Sequence, residues 1–393
     1  MRGVQPRALV VMGVRVLFSS DLHGNDDHLA RLLRRAEHEG CDVVILGGDL
    51  GPRGAGYGRD AGLDGVNGPS VNSSALEHLP KLASGKIDWD TDEALVYMRE
   101  GYESQREWFT TILVPMLEKC RVPSVCLFGN SDWAGLLPVA RGARKGREAR
   151  GLRNDHEKDH ENDRHANGVG AHVRFTQGDG DCFTVRTLAV DGENVPVGTC
   201  DILALSLVPI SGHRKKDWER CDTKKLRETV SRTGEVAASG FFSSPDGGGA
   251  VRGAVAVSDQ GAAENSIETH LEQLVERIQG KETEKVESPV RIWVTHAPPA
   301  NSVGDMVLSG DSVGSLAVRR AIESYSPAMT LHGHIHESVN MHDGVFKELI
   351  QGKSDPSKNT LVCSVGNDFK ERNPHALLFD TSDVTNVRRV EVE

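Results

Sequence analysis

Five short apolar runs in this sequence lead directly into side chains able to donate to a metal ion. Residues 14–20 run into Asp21 and His23, and residues 43–46 into Gly47, Gly48 and Asp49. Residues 122–128 run into Gly129, Asn130, Ser131 and Asp132. Residues 290–295 run into His296, and residues 329–331 into His332, Gly333, His334, Ile335 and His336. Carboxylate, amide-oxygen and imidazole donors together suit Mn²⁺, Fe or Zn²⁺ better than Ca²⁺ or Cu(I). Glycine beside a donor lets the backbone turn sharply and leaves space for an ion. Singly, each piece is weak: D-x-H is more often a turn with a surface histidine, and G-N-x-D is an ordinary turn signal. A lone histidine before Ala-Pro-Pro can serve a core hydrogen bond. G-H-x-H is stronger, and five strand ends in succession supplying Asp, Asn or His are hard to attribute to packing.

The elements that must position these residues are legible around them. The first third of the chain alternates strand and helix signals, the mark of an α/β sheet covered by helices. Residues 28–39 place Leu29, Leu32, Leu33 and Ala36 at helical spacing. A longer helix is predicted over about 92–119, with Leu95, Met98, Tyr102, Phe109, Ile112 and Met116 on one side. Asp90 with Glu93 resembles a capping box, and Pro115 should kink the helix near its end. Further strands are expected at 183–190, 202–208, 361–365, 376–379 and 387–392, and a helix over 313–325. In open α/β sheets, sites gather beyond the carboxyl ends of strands, where the donors fall. A single domain over 12–393 is expected, with loop insertions at 51–90, 141–181 and 214–288. The last insertion ends in an amphipathic helix bearing Ile267, Leu271, Leu274, Val275 and Ile278.

The ordered motifs resemble those of the calcineurin-like metallophosphoesterases: D-x-H, G-D, G-N-H-[DE], a lone H, then G-H-x-H. Asp21/His23, Gly48-Asp49, Gly129-Asn130, His296 and Gly333-His334/His336 match them. The stretches beginning at Thr295 (T-H-A-P-P) and His332 (H-G-H-I-H-E-S) look like particular branches of that family. The resemblance implies a four-layer αββα fold, two mixed β-sheets packed as a sandwich with helices outside. It implies one metal held by Asp21, His23, Asp49 and His336, and a second held by Asp49, Asn130, His296 and His334. Asn130 and Asp132 would belong to the catalytic group. The cofactors would be two divalent ions, Mn²⁺ first and Fe or Zn²⁺ next. Two such ions ~4 Å apart can hold a bridging hydroxide at neutral pH and neutralise charge on phosphoryl oxygens. The implied activity is hydrolysis of a small phosphate ester, either a monoester or a diester.

Ser131 departs from the family pattern, which has histidine there to protonate the leaving group or steady the phosphate. Serine is no general acid near neutral pH, and such a group contributes a factor of ~10²–10⁴. With all seven ligands present, activity is expected to persist. His332 could supply the proton, although a structural histidine is the better reading. The alternative is a catalytically weak scaffold that binds a protein partner through its insertions, against which the full ligand set argues.

The 393-residue chain is 38% hydrophobic and 26% charged, ordinary globular composition, and carries a formal net charge of −11. That charge argues against an extended nucleic-acid or membrane surface, but not against a phosphate substrate, since bound metal reverses the local sign. No apolar stretch reaches the length of a membrane span. Cys41, Cys120, Cys126, Cys182, Cys200, Cys221 and Cys363 form no C-x-x-C pair, so free thiols and a cytoplasmic location are expected. Gly310 to Gly314 spells G-x-S-x-G without a convincing preceding strand, so Ser312 is read as a helix cap. Gly54, Gly56 and Gly58 read as a flexible loop, His156, His160, His165 and His172 as part of a solvated insertion. The sequon at Asn72 is given no weight.

Overall fold

The computed structural model describes residues 13–53, 77–141, 173–177, 179–188, 196–228, 238–279, 290–368 and 371–393. The Gly54–Gly56–Gly58 loop, the sequon at Asn72 and the four-histidine tract lie outside the described residues. The strands β1 (Arg15–Ser19), β2 (Val43–Gly47), β3 (Ser124–Leu127) and β4 (Val173–Phe175) come first along the chain. Then follow β5 (Asp181–Leu188), β6 (Pro196–Leu205), β7 (Val208–Pro209), β8 (Glu219–Arg220), β9 (Ser239–Ser243) and β10 (Ala250–Ala254). The last six are β11 (Val290–Thr295), β12 (Met329–His332), β13 (Lys347–Gln351), β14 (Asn359–Ser364), β15 (His375–Asp380) and β16 (Asp383–Glu391).

Two six-stranded sheets result, ordered β16-β15-β1-β2-β3-β4 and β13-β14-β12-β11-β6-β5. Each is parallel through its middle and antiparallel at an edge, so both are mixed. Central parallel strands are buried on both faces and therefore read as continuous apolar runs rather than alternating ones. Alternate residues still part company. Val16, Phe18, Ile45 and Leu127 pack between the sheets against Ile202, Ile292, Val294 and Leu331. Leu17, Val44 and Leu46 join the cluster formed with the helices outside. The chain is thus an α/β protein with two mixed sheets and helices, as the family pattern implies.

Helix α1 (Asp26–Glu39) starts at Asn25, whose side chain accepts from His28 N–H, and stops at Gly40 in the left-handed conformation. Its buried face is Leu29, Leu32, Leu33 and Ala36, each leucine worth ~1.5–3 kcal/mol relative to exposure. Helix α2 (Asp92–Trp108) is capped by Thr91, which accepts from Ala94 N–H, and not by Asp90 as the sequence pattern suggested. The irregularity attributed to Pro115 is a π-turn at Phe109–Leu113 just before it, with Val114 N–H reaching back to Phe109 C=O. Pro115, lacking an N–H, sits in the opening turn of α3 (Val114–Lys119).

The stretch expected as a loop at 141–181 contributes β4, which pairs with β3. Residues 214–288 carry β8 to β10, α4 (Asp259–Asn265) and α5 (Ile267–Gln279). Ile267, Leu271, Leu274 and Val275 of α5 are buried in the outer cluster. Helix α6 (Leu316–Tyr325) is capped by Ser315, not Ser312; Ser312 instead hydrogen-bonds the Asp305 carboxylate. The last helix is the short α7 (Ser338–Met341). Among the described residues, no helix is long and apolar enough to cross a membrane. All seven cysteines are free thiols.

Candidate metal centre

The candidate ligands leave the carboxyl ends of parallel strands in both sheets. Asp21 and His23 follow β1, Asp49 follows β2, and Asn130 follows β3, three neighbours in one sheet. His296 follows β11, and His334 and His336 follow β12, neighbours in the other sheet. Backbone bonds fasten the turns together: Asp21 N–H donates to Gly48 C=O (2.9 Å) and His23 N–H to Asp49 C=O (2.9 Å).

These turns are strained. Asp21 (φ 61°), His23 (φ 48°), Asp49 (φ 52°) and His334 (φ 71°) all adopt the left-handed region that L-residues with a Cβ avoid. Such conformations cost about 1–3 kcal/mol each and persist where the surroundings over-determine them, typically at functional sites. Two glycines are required by close approach. A Cβ on Gly129 would lie 2.2 Å from Asp49 Oδ1 and 2.5 Å from His296 Nε2. A Cβ on Gly333 would lie 2.4 Å from Asp21 Oδ2.

Donor atoms of Asp21, His23, Asp49 and His336 all fall within 4.8 Å of one another, with the first three residues buried. His336 Nε2 is 3.5 Å from Asp21 Oδ1, and His23 Nε2 is 3.6 Å from Asp49 Oδ2. The other oxygen of Asp49, Oδ1, is 3.3 Å from His296 Nε2, which is 3.2 Å from Asn130 Oδ1. The His334 ring lies 5.1 Å from that of His296, and its buried Nδ1 has no hydrogen-bond partner among the described residues. Asp49 therefore faces one donor group with each oxygen. All seven sequence-predicted ligands are brought together.

The electrostatics fit cations. Burial, reinforced by Arg53, holds His23 well below its ordinary value, and burial with nearby His296 brings His334 down to about 3. Both are neutral at pH 7, the form that ligates. Burial also disfavours charge on His296, but the Asp49 carboxylate outweighs it and pushes His296 up to about 9. Burial disfavours charge on Asp49 too, and is outweighed by His296, His23 and the Ser131 N–H, which hold the carboxyl well below its usual range. His296 Nδ1 meets Gly47 C=O at 2.9 Å, a bond that directs Nε2 toward Asp49 and Asn130. The guanidinium of Arg53 stands where the imidazoles converge, with Nη2 2.8 Å from His23 Nε2 and 3.1 Å from His336 Nε2. Imidazole nitrogens gathered around a positive group form an environment made for a cation, and the donor set fits a divalent ion.

Around the ligands, Ser131 and Asp132 are buried. Ser131 donates its N–H to Asp49 Oδ1 (2.7 Å) and its hydroxyl to Oδ2 (2.9 Å). Asp132 accepts from the N–H groups of Leu50, Gly51 and Gly129, tying the turn after β2 to the turn after β3. Burial, with the neighbouring Asp49 charge, raises its carboxyl to about 6. His332 is enclosed by Thr295 and Thr330, and burial lowers it to about 4, so it is a neutral structural histidine.

Sequence reasoning missed four residues. Arg53 immediately precedes the glycine-rich stretch that reads only as a flexible loop. Gln105, on α2, donates to the carbonyls of Pro52 and Ser131 and accepts from Trp133 N–H. His213 and Lys215 come from the connection between β7 and β8. A cluster of basic residues at 213–216 was the one available signal.

No curated protein matches the sequence. Among solved structures, TT1561 of Thermus thermophilus is 11% identical with a TM-score of 0.43, covering 97% of this chain and 100% of that one. A dimetal phosphatase from Danio rerio is 9% identical with a TM-score of 0.41, with the same coverage of 97% and 100%. Likeness this loose carries no argument, whereas the family match does. The model of the calcineurin-like phosphoesterases matches residues 14–338, and the chain belongs to that family.

Proposed function

We propose that the chain is a metal-dependent hydrolase of small phosphate esters, working with two divalent ions of which Mn²⁺ fits the donors well. The observation that carries this reading is Asp49, whose two oxygens face two donor groups, Asp21, His23 and His336 on one side and Asn130, His296 and His334 on the other. When bound, two such ions activate water for attack on phosphorus and neutralise the phosphoryl oxygens. The protein's own residues aim and insulate that chemistry. Ser131 fixes both oxygens of Asp49, Gly47 sets the His296 tautomer, and Asp132 is a positioning residue that holds two ligand-bearing turns in register. Arg53 brings a positive charge to the ligands, and once His23 Nε2 and His336 Nε2 hold an ion its guanidinium is released to attract a phosphate dianion. Among the described residues nothing favours the scaffold reading.

The test is hydrolysis of nitrophenyl phosphate and bis-nitrophenyl phosphate with Mn²⁺ or EDTA, by wild type and Asp49→Asn. Activity with Mn²⁺, lost with EDTA and reduced by about a hundredfold or more in the variant, is expected. A folded, Mn²⁺-loaded wild type that cleaves neither ester would overturn the reading.

A further inference from the structure

The connection between β7 and β8 is fastened to the turn that carries Asn130. Trp218 Nε1 donates to Asp132 C=O (2.8 Å), Asp217 Oδ2 accepts from Ala134 N–H (2.8 Å), and Lys215 Nζ donates to Ser131 C=O. Lys215 is only 4% exposed, with its ammonium 5.1 Å from the centre of the Trp133 ring. An ammonium has three N–H donors. Among the described residues Ser131 C=O is the only hydrogen-bond acceptor it has, and that oxygen already accepts from Gln105 Nε2 at 3.0 Å. The carbonyl does not need the lysine, and beyond it the ammonium, which lies against the Trp133 ring, has two N–H groups with no hydrogen-bond acceptor among the described residues. Burying such donors unmet is costly unless a ligand meets them. Two positions away, His213 also has a buried Nδ1 with no partner among the described residues. Burial pulls Lys215 down to about 8 against the opposing charges of Asp132, Asp49 and Asp217, and burial with the neighbouring Lys215 charge pulls His213 down to about 4.

From these unmet donors beside the Ser131 turn, we infer that Lys215 and His213 bind substrate, donating to nonbridging oxygens of a phosphomonoester dianion. The inference rests on the phosphoesterase reading and names its substrate class. A monoester dianion has three nonbridging oxygens for Lys215 and the neutral His213 to donate to, and two charges to set against Lys215, Arg53 and the metal ions. A diester has two nonbridging oxygens and one charge, and its second ester group would have to lie against charged donors that it cannot satisfy. Specificity then arises because a site built to hydrogen-bond a group rejects the analogue that leaves its donors unpaired.

The experiment is calorimetric titration of Mn²⁺-loaded protein with methyl phosphate and with dimethyl phosphate, for wild type, Lys215→Met and His213→Gln, alongside a count of bound Mn²⁺. Methionine keeps the length of lysine, and Ser131 C=O keeps Gln105, so Lys215→Met is expected to fold. His213, only partly buried, offers an independent variant. Wild type is expected to bind methyl phosphate at least about thirtyfold more tightly than dimethyl phosphate. Lys215→Met should weaken methyl phosphate about thirtyfold and His213→Gln about fivefold, with Mn²⁺ content unchanged. Equal affinities for the two esters in wild type, or undiminished methyl phosphate binding in both variants, would overturn the inference. So would a loss of Mn²⁺ that accounts for the weakened binding. The expected binding pattern without hydrolysis of either nitrophenyl ester would sink the hydrolase reading and leave Lys215 and His213 as binders of a phosphomonoester that is not turned over; equal affinities with hydrolysis intact would overturn this inference and leave the hydrolase reading.

Discussion

Ser131 stands where the family pattern has histidine, and its hydroxyl and N–H are both committed to the Asp49 carboxylate. The position therefore has a task of its own, aiming the carboxylate that faces both donor groups, rather than being a vacated acid site. Removing an outer hydrogen bond of this kind typically costs ten- to a hundredfold in metal affinity. Ser131→Ala should accordingly weaken Mn²⁺ binding about tenfold, less than the full range because the N–H to Oδ1 remains. A direct Mn²⁺ titration checks this, and wild-type affinity would show that the N–H alone holds Asp49. The seven candidate ligands could be read from the sequence because each stands within a few residues of a strand end, and all but the lone His296 sit in a short motif with glycine or a second donor. Arg53, Gln105, His213 and Lys215 could not, since they reach the site through tertiary contacts. Lys215 meets Ser131 across 84 positions, and no local pattern encodes that.

At the scale of elements, the site depends on α2 as much as on the strands. Gln105 lies on its buried face, and its one amide joins the turn after β2 to the turn after β3 through Pro52, Ser131 and Trp133. Replacing it with alanine takes this partner from the Trp133 N–H and the Pro52 carbonyl, while Ser131 C=O keeps Lys215, at roughly 1–3 kcal/mol for each unmet group. Gln105→Leu keeps the volume and removes the bonds. It should lower stability by about 2–3 kcal/mol and loosen Mn²⁺ binding, read by denaturant melts and metal titration. A loss of stability with unaltered metal affinity would show that the turns hold themselves. Helix α2 itself was legible from its apolar period, but not its cap or its π-turn, because competing hydrogen bonds over one or two residues decide both. Strands β4 and β13 escaped notice for a different reason. The first has three residues, and the second is an exposed edge strand of Lys, Glu, Leu, Ile and Gln whose pairing partner, β14, comes later in the chain.

At the scale of the molecule, the candidate ligands are divided between the sheets, with Asp21, His23, Asp49 and Asn130 on one and His296, His334 and His336 on the other. Ions held by both would join the two halves of the sandwich, so metal should stabilise the fold as a whole. A ligand bound only by the folded state contributes about 2.7 kcal/mol at a hundred times its dissociation constant. The size of the effect should depend on pH through His296, which the Asp49 carboxylate pushes up to about 9, above the ordinary 6.5. A histidine raised on folding stabilises the metal-free protein fully below about 6.5, and that contribution fades as pH climbs through about 9. Metal must displace the same proton, so its apparent affinity rises by up to tenfold per pH unit across that window. Mn²⁺ should therefore raise the melting temperature more at pH 8 than at pH 6.5, with a proton released on binding. Thermal melts with Mn²⁺ or EDTA at the two pH values, and calorimetry in buffers of different ionisation enthalpy, measure both quantities. In Asp49→Asn, His296 loses its charge partner, so the pH dependence as well as the metal shift should shrink. A metal shift equal at both pH values would mean that His296 carries no proton in the metal-free protein.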